Sequence, residues 1–177
     1  FIVGDLDSFN FSKVDIAFFS AGASVSSKYA LLAEESNCYV IDNTSFFRMH
    51  KDIPLVVPEV NEEDIDNSNR KIIANPNCST IQMLVALFPI HKINKIKKII
   101  VSTYQSISGT GRKAIAQLDG EENNTNTEKV YPHQIYKNAI PHCDEFEKNG
   151  YTKEEMKLVK ETNKILGSNI SITATAV

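Results

Sequence analysis

Cys78 is the residue whose surroundings best suit covalent chemistry. It follows Asn75-Pro76-Asn77, a turn signal, and precedes Ile81, Leu84, Val85 and Phe88, which repeat with the spacing of one helix face and run up to Pro89. A thiol just inside a turn that opens a helix meets unpaired amide N–H groups and the positive end of the helix dipole, and both favour a thiolate. A thiolate is the form that attacks an activated acyl carbon. Asn77 caps the helix on this reading, or donates its amide to a substrate oxygen. The local sequence leaves open a second reading, a small buried cysteine packed against Ile81. Cys38 sits in the apolar run Cys38-Tyr39-Val40-Ile41 and reads as structural.

Other side chains have two readings each. Arg48 follows Phe46-Phe47, where a guanidinium could hold a carboxylate or phosphate bidentately, or simply be a solvated surface arginine. Ser108-Gly109-Thr110-Gly111 offers backbone donors to a phosphate or cofactor, although paired glycines occur in many turns. Glu154 and Lys157 fall on one face of a helix, either toward a substrate or as a surface ion pair. The histidines, His50, His91, His133 and His142, have no ligand spacing with the cysteines, so no metal site is expected. His91 reads as a cap or surface residue.

The elements that must position these groups have an α/β rhythm. Residues 14–20 read as a buried apolar strand ending at Ala21-Gly22; residues 25–35 are helix-like; Cys38 to Asp42 is a second strand. Strand, helix and strand in so short a span is the pattern of a parallel sheet, whose strand-end loops, here Ser20-Ala21-Gly22 and Asn43-Thr44-Ser45, are favoured ligand positions. Lys71 to Ala74 and Ile99 to Tyr104 read as further strands, and Pro89 is expected to close the helix that starts near Cys78. The polar run from Asp119 to Glu128 predicts an exposed, mobile loop. Thr152 and Glu155 predict a capping box for a helix that meets Gly167 at its end. The last residues, from Ile170 to Val177, alternate like a strand.

Composition sets outer limits. The chain has 177 residues, 42% of them hydrophobic, with nine Phe and six Tyr, enough for one domain or parts of two. A formal net charge of -3 gives no reason to expect nucleic acid or an anionic membrane as partner. No apolar stretch approaches a membrane span. Three irregularly spaced cysteines and no leader segment suit a reducing cytoplasm. Opening on Phe1-Ile2-Val3 and stopping inside a strand-like run, the sequence reads as an internal piece of a longer protein.

The segment Asn75-Pro76-Asn77-Cys78-Ser79-Thr80-Ile81-Gln82-Met83 resembles the catalytic-cysteine signature of the aspartate-semialdehyde dehydrogenases. The resemblance continues in Phe19-Ser20-Ala21-Gly22, in Asp42-Asn43-Thr44-Ser45-Phe46-Phe47-Arg48, in Val56-Val57-Pro58-Glu59-Val60-Asn61, in Val101 to Gly111, and in Gly150-Tyr151-Thr152-Lys153-Glu154-Glu155-Met156-Lys157. It covers nearly the whole chain in family order. It implies a partial Rossmann-like nucleotide domain over 1–77, followed by part of an α/β catalytic and dimerisation domain over 78–177. It further implies NADP-dependent interconversion of L-aspartyl-4-phosphate and L-aspartate semialdehyde plus phosphate, NADPH serving the biosynthetic direction, in a homodimer or higher oligomer.

On that resemblance Cys78 is the nucleophile and Gln105 positions the substrate beside the thioester. Arg48, Asn77 and Lys157 recognise phosphate, Glu154 the substrate amino group. Ser20, Ala21, Gly22, Asn43, Ser108 and Gly109 line the cofactor side. The family's opening glycine-rich turn, its substrate-carboxylate arginine and its acid/base histidine would lie before Phe1 and after Val177, so the 177 residues alone are expected to be inactive. The stretch from Ala114 to Glu128 looks shorter than is usual in the family. Two alternatives remain: a non-catalytic nucleotide-binding or subunit-interaction fragment, and a related reductase of another acyl phosphate, which would be expected to lack the Glu154/Lys157 pattern.

Overall fold

The computed structural model describes residues 2–177, so Phe1 lies outside the described residues. Ile2 and Val3 are fully exposed and belong to no strand. The chain packs as two compact units, Phe1–Lys97 with Lys160–Ile170, and Lys98–Val159 with Ser171–Val177.

The first unit is built on a three-stranded parallel sheet in the order β1 (Ile16–Phe19), β2 (Tyr39–Asp42), β3 (Ile72–Ala74). Ile16 pairs with Tyr39 and Val40 with Ile72, so the three strands end level at Phe19, Asp42 and Ala74. Helix α1 (Ala23–Glu35) joins the first two strands and buries Ser26, Ala30 and Ala33, small residues one helical turn apart that let the helix approach the sheet closely. After β2 the chain passes through the buried segment Leu55-Val56-Val57 and two single-turn helices, α2 (Pro58–Asn61) and α3 (Glu63–Asp66), before β3. Helix α4 (Cys78–Ile93) follows β3 and inserts Leu84 into a core shared with Phe19, Val40, Phe47, Leu55, Val57 and Ile72. Helix α4 thus packs within the first unit, whose longer segment ends at Lys97.

Pro89 does not close α4. The helix runs four residues further to Ile93, and the Asn94 N–H closes the last turn on the Ile90 carbonyl at 2.8 Å. A proline inside a helix removes one backbone hydrogen bond. Here the turn beyond it is held by buried His91, whose Nδ1 accepts from the Ile96 N–H at 3.2 Å. His91 is therefore a cap, as expected, although a buried one.

The second unit pairs β4 (Lys98–Thr103) and β5 (Ser171–Ala176) in parallel from Lys98 opposite Ser171 to Thr103 opposite Ala176. The Ser108-Gly109 segment is a 3-10 turn, Ile107–Thr110, leading into helix α5 (Arg112–Glu122). The exposed loop expected from Asp119 is thus helical as far as Glu122, with Gly120 buried. The polar side chains act as clamps. Gln117 Oε1 accepts from the Val130 and Tyr131 N–H groups at 2.6 and 3.0 Å, and Glu121 Oε2 from those of Ile135 and Tyr136 at 2.6 and 2.8 Å. Satisfying four backbone donors is a use of polarity that composition does not distinguish from solvation.

Helix α6 (Lys153–Ile165) contributes its residues up to Val159 to the second unit and those from Lys160 to the first. Its start is the expected capping box: the Thr152 N–H donates to Glu155 Oε2 at 2.7 Å and the Glu155 N–H to Thr152 Oγ1 at 3.2 Å. Gly167 takes a φ of 54°, the left-handed conformation of a helix C-cap. Among the described residues no helix is long and apolar enough to cross a membrane.

Candidate active site

Cys78 is the first residue of α4 and is exposed, so the alternative of a buried cysteine packed against Ile81 does not hold. Asn77 is the N-cap. Its side-chain Oδ1 accepts from the Ser79 N–H at 2.9 Å, which fixes the first turn and with it the site from which the thiol emerges. The other cysteines differ. Cys38 is fully buried, and burial raises its thiol pKa; burial, with Glu154, Glu155 and Asp144 nearby, raises that of Cys143. All three are free thiols.

Arg48 is also not the surface residue that its sequence context allowed. It is buried, with Nη1 donating to Glu161 Oε1 at 3.0 Å and Nη2 to the Asn43 carbonyl at 2.9 Å; its Nε is buried without a partner. The second oxygen of Glu161 accepts from the Asn77 N–H at 2.7 Å. One buried carboxylate therefore holds both the arginine and the backbone of the residue before Cys78. Lys164, one turn further along α6, donates to the carbonyls of Arg48, His50 and Ile53 at 2.8, 2.7 and 2.8 Å. Desolvation lowers its pKa, opposed by Asp52 and Asp64.

At the carboxyl ends of the parallel strands a polar chain forms. Asn75 Nδ2 donates to Asn43 Oδ1 at 2.8 Å, and Asn43 Nδ2 to Ser20 Oγ at 3.3 Å. Beside Ser20, exposed Ala21 and Gly22 lead into α1, whose N-cap is Gly22 with a φ of 104° and no side-chain cap. A Cβ at Gly22 would meet open space, so the bend and not crowding calls for glycine. Open, polar strand ends beside an uncapped helix start fit a nucleotide phosphate.

The second unit gathers three more of the residues singled out above. Gln105 Nε2 donates to Glu154 Oε1 at 3.2 Å, while Lys157 Nζ donates to Glu154 Oε2 at 2.8 Å and to Asp144 Oδ2 at 3.2 Å. Thr103 Oγ1 donates to Gln105 Oε1 at 3.0 Å and so fixes the amide's orientation. Glu154 and Lys157 form an ion pair one helical turn apart, with side chains 12% and 28% exposed, so the pair is half-buried. Burial works against the Lys157 charge, but the hydrogen bonds and charges of Glu154 and Asp144 outweigh it, and its pKa is raised. Ser108 and Gly109 also belong to this unit, on the turn capped by Ser106. Among the described residues no three His, Cys, Asp or Glu side chains gather where they could hold a metal ion.

Sequence reasoning missed Glu161, Lys164 and Asn75. A signal existed for the first two. Glu154, Lys157, Glu161 and Lys164 recur at helical spacing, a charged stripe on one helix.

Residues 87–177 match the family described as semialdehyde dehydrogenase, dimerisation domain, and residues 1–68 the semialdehyde dehydrogenase, NAD binding domain. An aspartate-semialdehyde dehydrogenase of Shewanella violacea is 56% identical over 98% of this chain and 53% of its own length. The crystal structure of aspartate semialdehyde dehydrogenase II complexed with ASA, from Vibrio cholerae, superposes with a TM-score of 0.92 at 50% identity, covering 98% of this chain and 54% of that one. The Candida albicans enzyme with NADP gives 0.67 at 26% identity, over 92% of this chain and 46% of its own. The chain spans about half the length of the curated relatives it matches. The signature around Cys78, the α/β architecture and these matches agree, and the chain belongs to the aspartate-semialdehyde dehydrogenase family.

Proposed function

We propose that the complete protein carrying this sequence interconverts L-aspartyl-4-phosphate and L-aspartate semialdehyde plus phosphate, with NADP as the hydride carrier and Cys78 as the nucleophile. In the biosynthetic direction the Cys78 sulfur attacks the acyl carbon, the carbon–oxygen bond to phosphate breaks, and a thioester forms. Bound NADPH would supply the hydride for reducing this thioester; the thiohemiacetal on Cys78 would then collapse, its carbon–sulfur bond breaking to return the thiol and release the aldehyde. Arg48, Asn77 and Lys157 recognise the phosphate, Glu154 the substrate amino group, and Gln105 positions the acyl carbon. Ser20, Ala21, Gly22, Asn43, Ser108 and Gly109 serve the cofactor. The NADP assignment draws on the Candida albicans relative. Assembly as a homodimer or higher oligomer draws on the dimerisation description of residues 87–177. The free thiols are in keeping with a reducing cytoplasm.

The observation that carries the reading is an exposed thiol on the first residue of a 16-residue helix whose start is fixed by the preceding asparagine. Its test is the Cys78→Ala variant of the complete protein. Turnover of aspartate semialdehyde, phosphate and NADP should vanish while NADP binding persists; near-normal turnover would overturn the assignment.

A further inference from the structure

We propose that Glu161 is a positioning residue for the thioester chemistry: one buried carboxylate aligns the phosphate-recognising Arg48 and the backbone that presents Cys78. This rests on the functional reading above and adds to it a residue that touches neither substrate nor cofactor. Glu161 is 2% exposed, and its two oxygens accept from two different parts of the chain, Arg48 Nη1 at 3.0 Å and the Asn77 N–H at 2.7 Å. A buried carboxylate is costly unless paired and hydrogen-bonded, and both oxygens are used here. The same helix face adds Lys164, which grips the carbonyls of Arg48, His50 and Ile53. The loop bearing Arg48 is therefore fixed at both backbone and guanidinium, and the N-cap of α4 is tied to the same carboxylate. A shift of this carboxylate would move the phosphate clamp and the nucleophile's helix together. Catalytic groups tolerate little misplacement, because small errors in geometry forfeit effective molarity.

The substitution Glu161→Gln probes this directly. Its amide has a single carbonyl oxygen, which the Arg48 cation attracts more strongly than a neutral N–H does, so its NH2 faces the Asn77 N–H, donor against donor, and that contact is lost. In the complete protein the expected result is faster hydrogen exchange at the Asn77 amide and a kcat lowered roughly tenfold or more, as misalignment requires. The KM for phosphate should rise while that for NADP stays put, a split that a loss of folded protein would not produce. The double variant Arg48→Met/Glu161→Gln lets the amide oxygen turn to Asn77. Protection of the Asn77 amide should then recover while the phosphate KM stays high. It also covers the case in which Glu161→Gln alone leaves too much uncompensated charge to fold, with Arg48→Met as its reference. An Asn77 amide equally protected with and without Glu161, or a Glu161→Gln enzyme with normal kcat and only a lower melting temperature, overturns the proposal. Full turnover by Cys78→Ala would instead remove the nucleophile assignment, and the exchange measurement would still decide the role of Glu161.

Discussion

A cysteine at the start of a helix owes its setting to neighbours that are not reactive themselves. Asn77 spends its side-chain oxygen on the Ser79 N–H, and its own N–H is taken by Glu161. Arg48 depends on the same carboxylate, so its planar fork matters as much as its charge. Replacing Arg48 with Lys should lower kcat/KM for phosphate about tenfold or more in steady-state assays, equivalent to losing one charge-assisted hydrogen bond. An unchanged value would deny Arg48 a part in phosphate recognition. At this scale the helix start at Cys78 was legible from its turn and helical spacing, whereas Gln105 was singled out only by the family resemblance. The sequence was least legible for Glu161, because a buried acid and a solvated acid are the same letter. Only the partners, 84 residues away at Asn77 and 113 away at Arg48, tell them apart.

The elements hold these residues through polar ties at their ends. The capping box of α6 sets where Glu154 and Lys157 stand, so Thr152→Ala should cost about 1 kcal/mol in denaturant unfolding, and Thr152→Ser should restore most of it. A second tie joins the end of α1 to the start of β3. Glu34 accepts from Arg70 Nε and Nη2 at 2.9 and 2.7 Å and from the Lys71 N–H at 2.8 Å. The Arg70 hydrogen bonds lower the Glu34 pKa from its ordinary value, against the effect of burial and with help from the Lys71 N–H. A carboxylate depressed on folding contributes stability that is fully present above its unfolded pKa and is lost as pH falls through the folded value. Melting temperatures should therefore separate wild type from Glu34→Gln near neutral pH and converge below about pH 4. A gap that persists at the acid end would contradict the linkage. Strands and helices with clean periodicity, such as β2, β4 and α6, were readable from their apolar spacing. The turn beyond Pro89 and the helical half of the 119–128 run were not. Their order comes from His91, Gln117 and Glu121 meeting backbone groups that lie 5 to 16 residues away.

For the whole molecule, the two units divide the candidate residues between them. The first carries Cys78, Asn77, Arg48, Ser20, Ala21, Gly22 and Asn43; the second carries Gln105, Glu154, Lys157, Ser108 and Gly109. The parallel sheet of the first unit was legible from its strand–helix–strand rhythm, whereas only packing reveals that α4 shares the first core. Phe18, Ile93 and Ile100 are strongly exposed apolar side chains, in keeping with a protein whose relatives are about twice the length of this chain. Light scattering of the complete protein should give a mass of two subunits or more; a monomer at assay concentration would contradict the proposed assembly. The central claim, that Cys78 carries the acyl group, is tested most directly by omitting phosphate. Mixed with aspartate semialdehyde and NADP alone, the complete protein should release one burst of NADPH, stoichiometric with active sites. Peptide mass spectrometry should then find an aspartyl thioester on Cys78. A burst with no adduct there, or an adduct on Cys38 or Cys143 instead, would contradict the account.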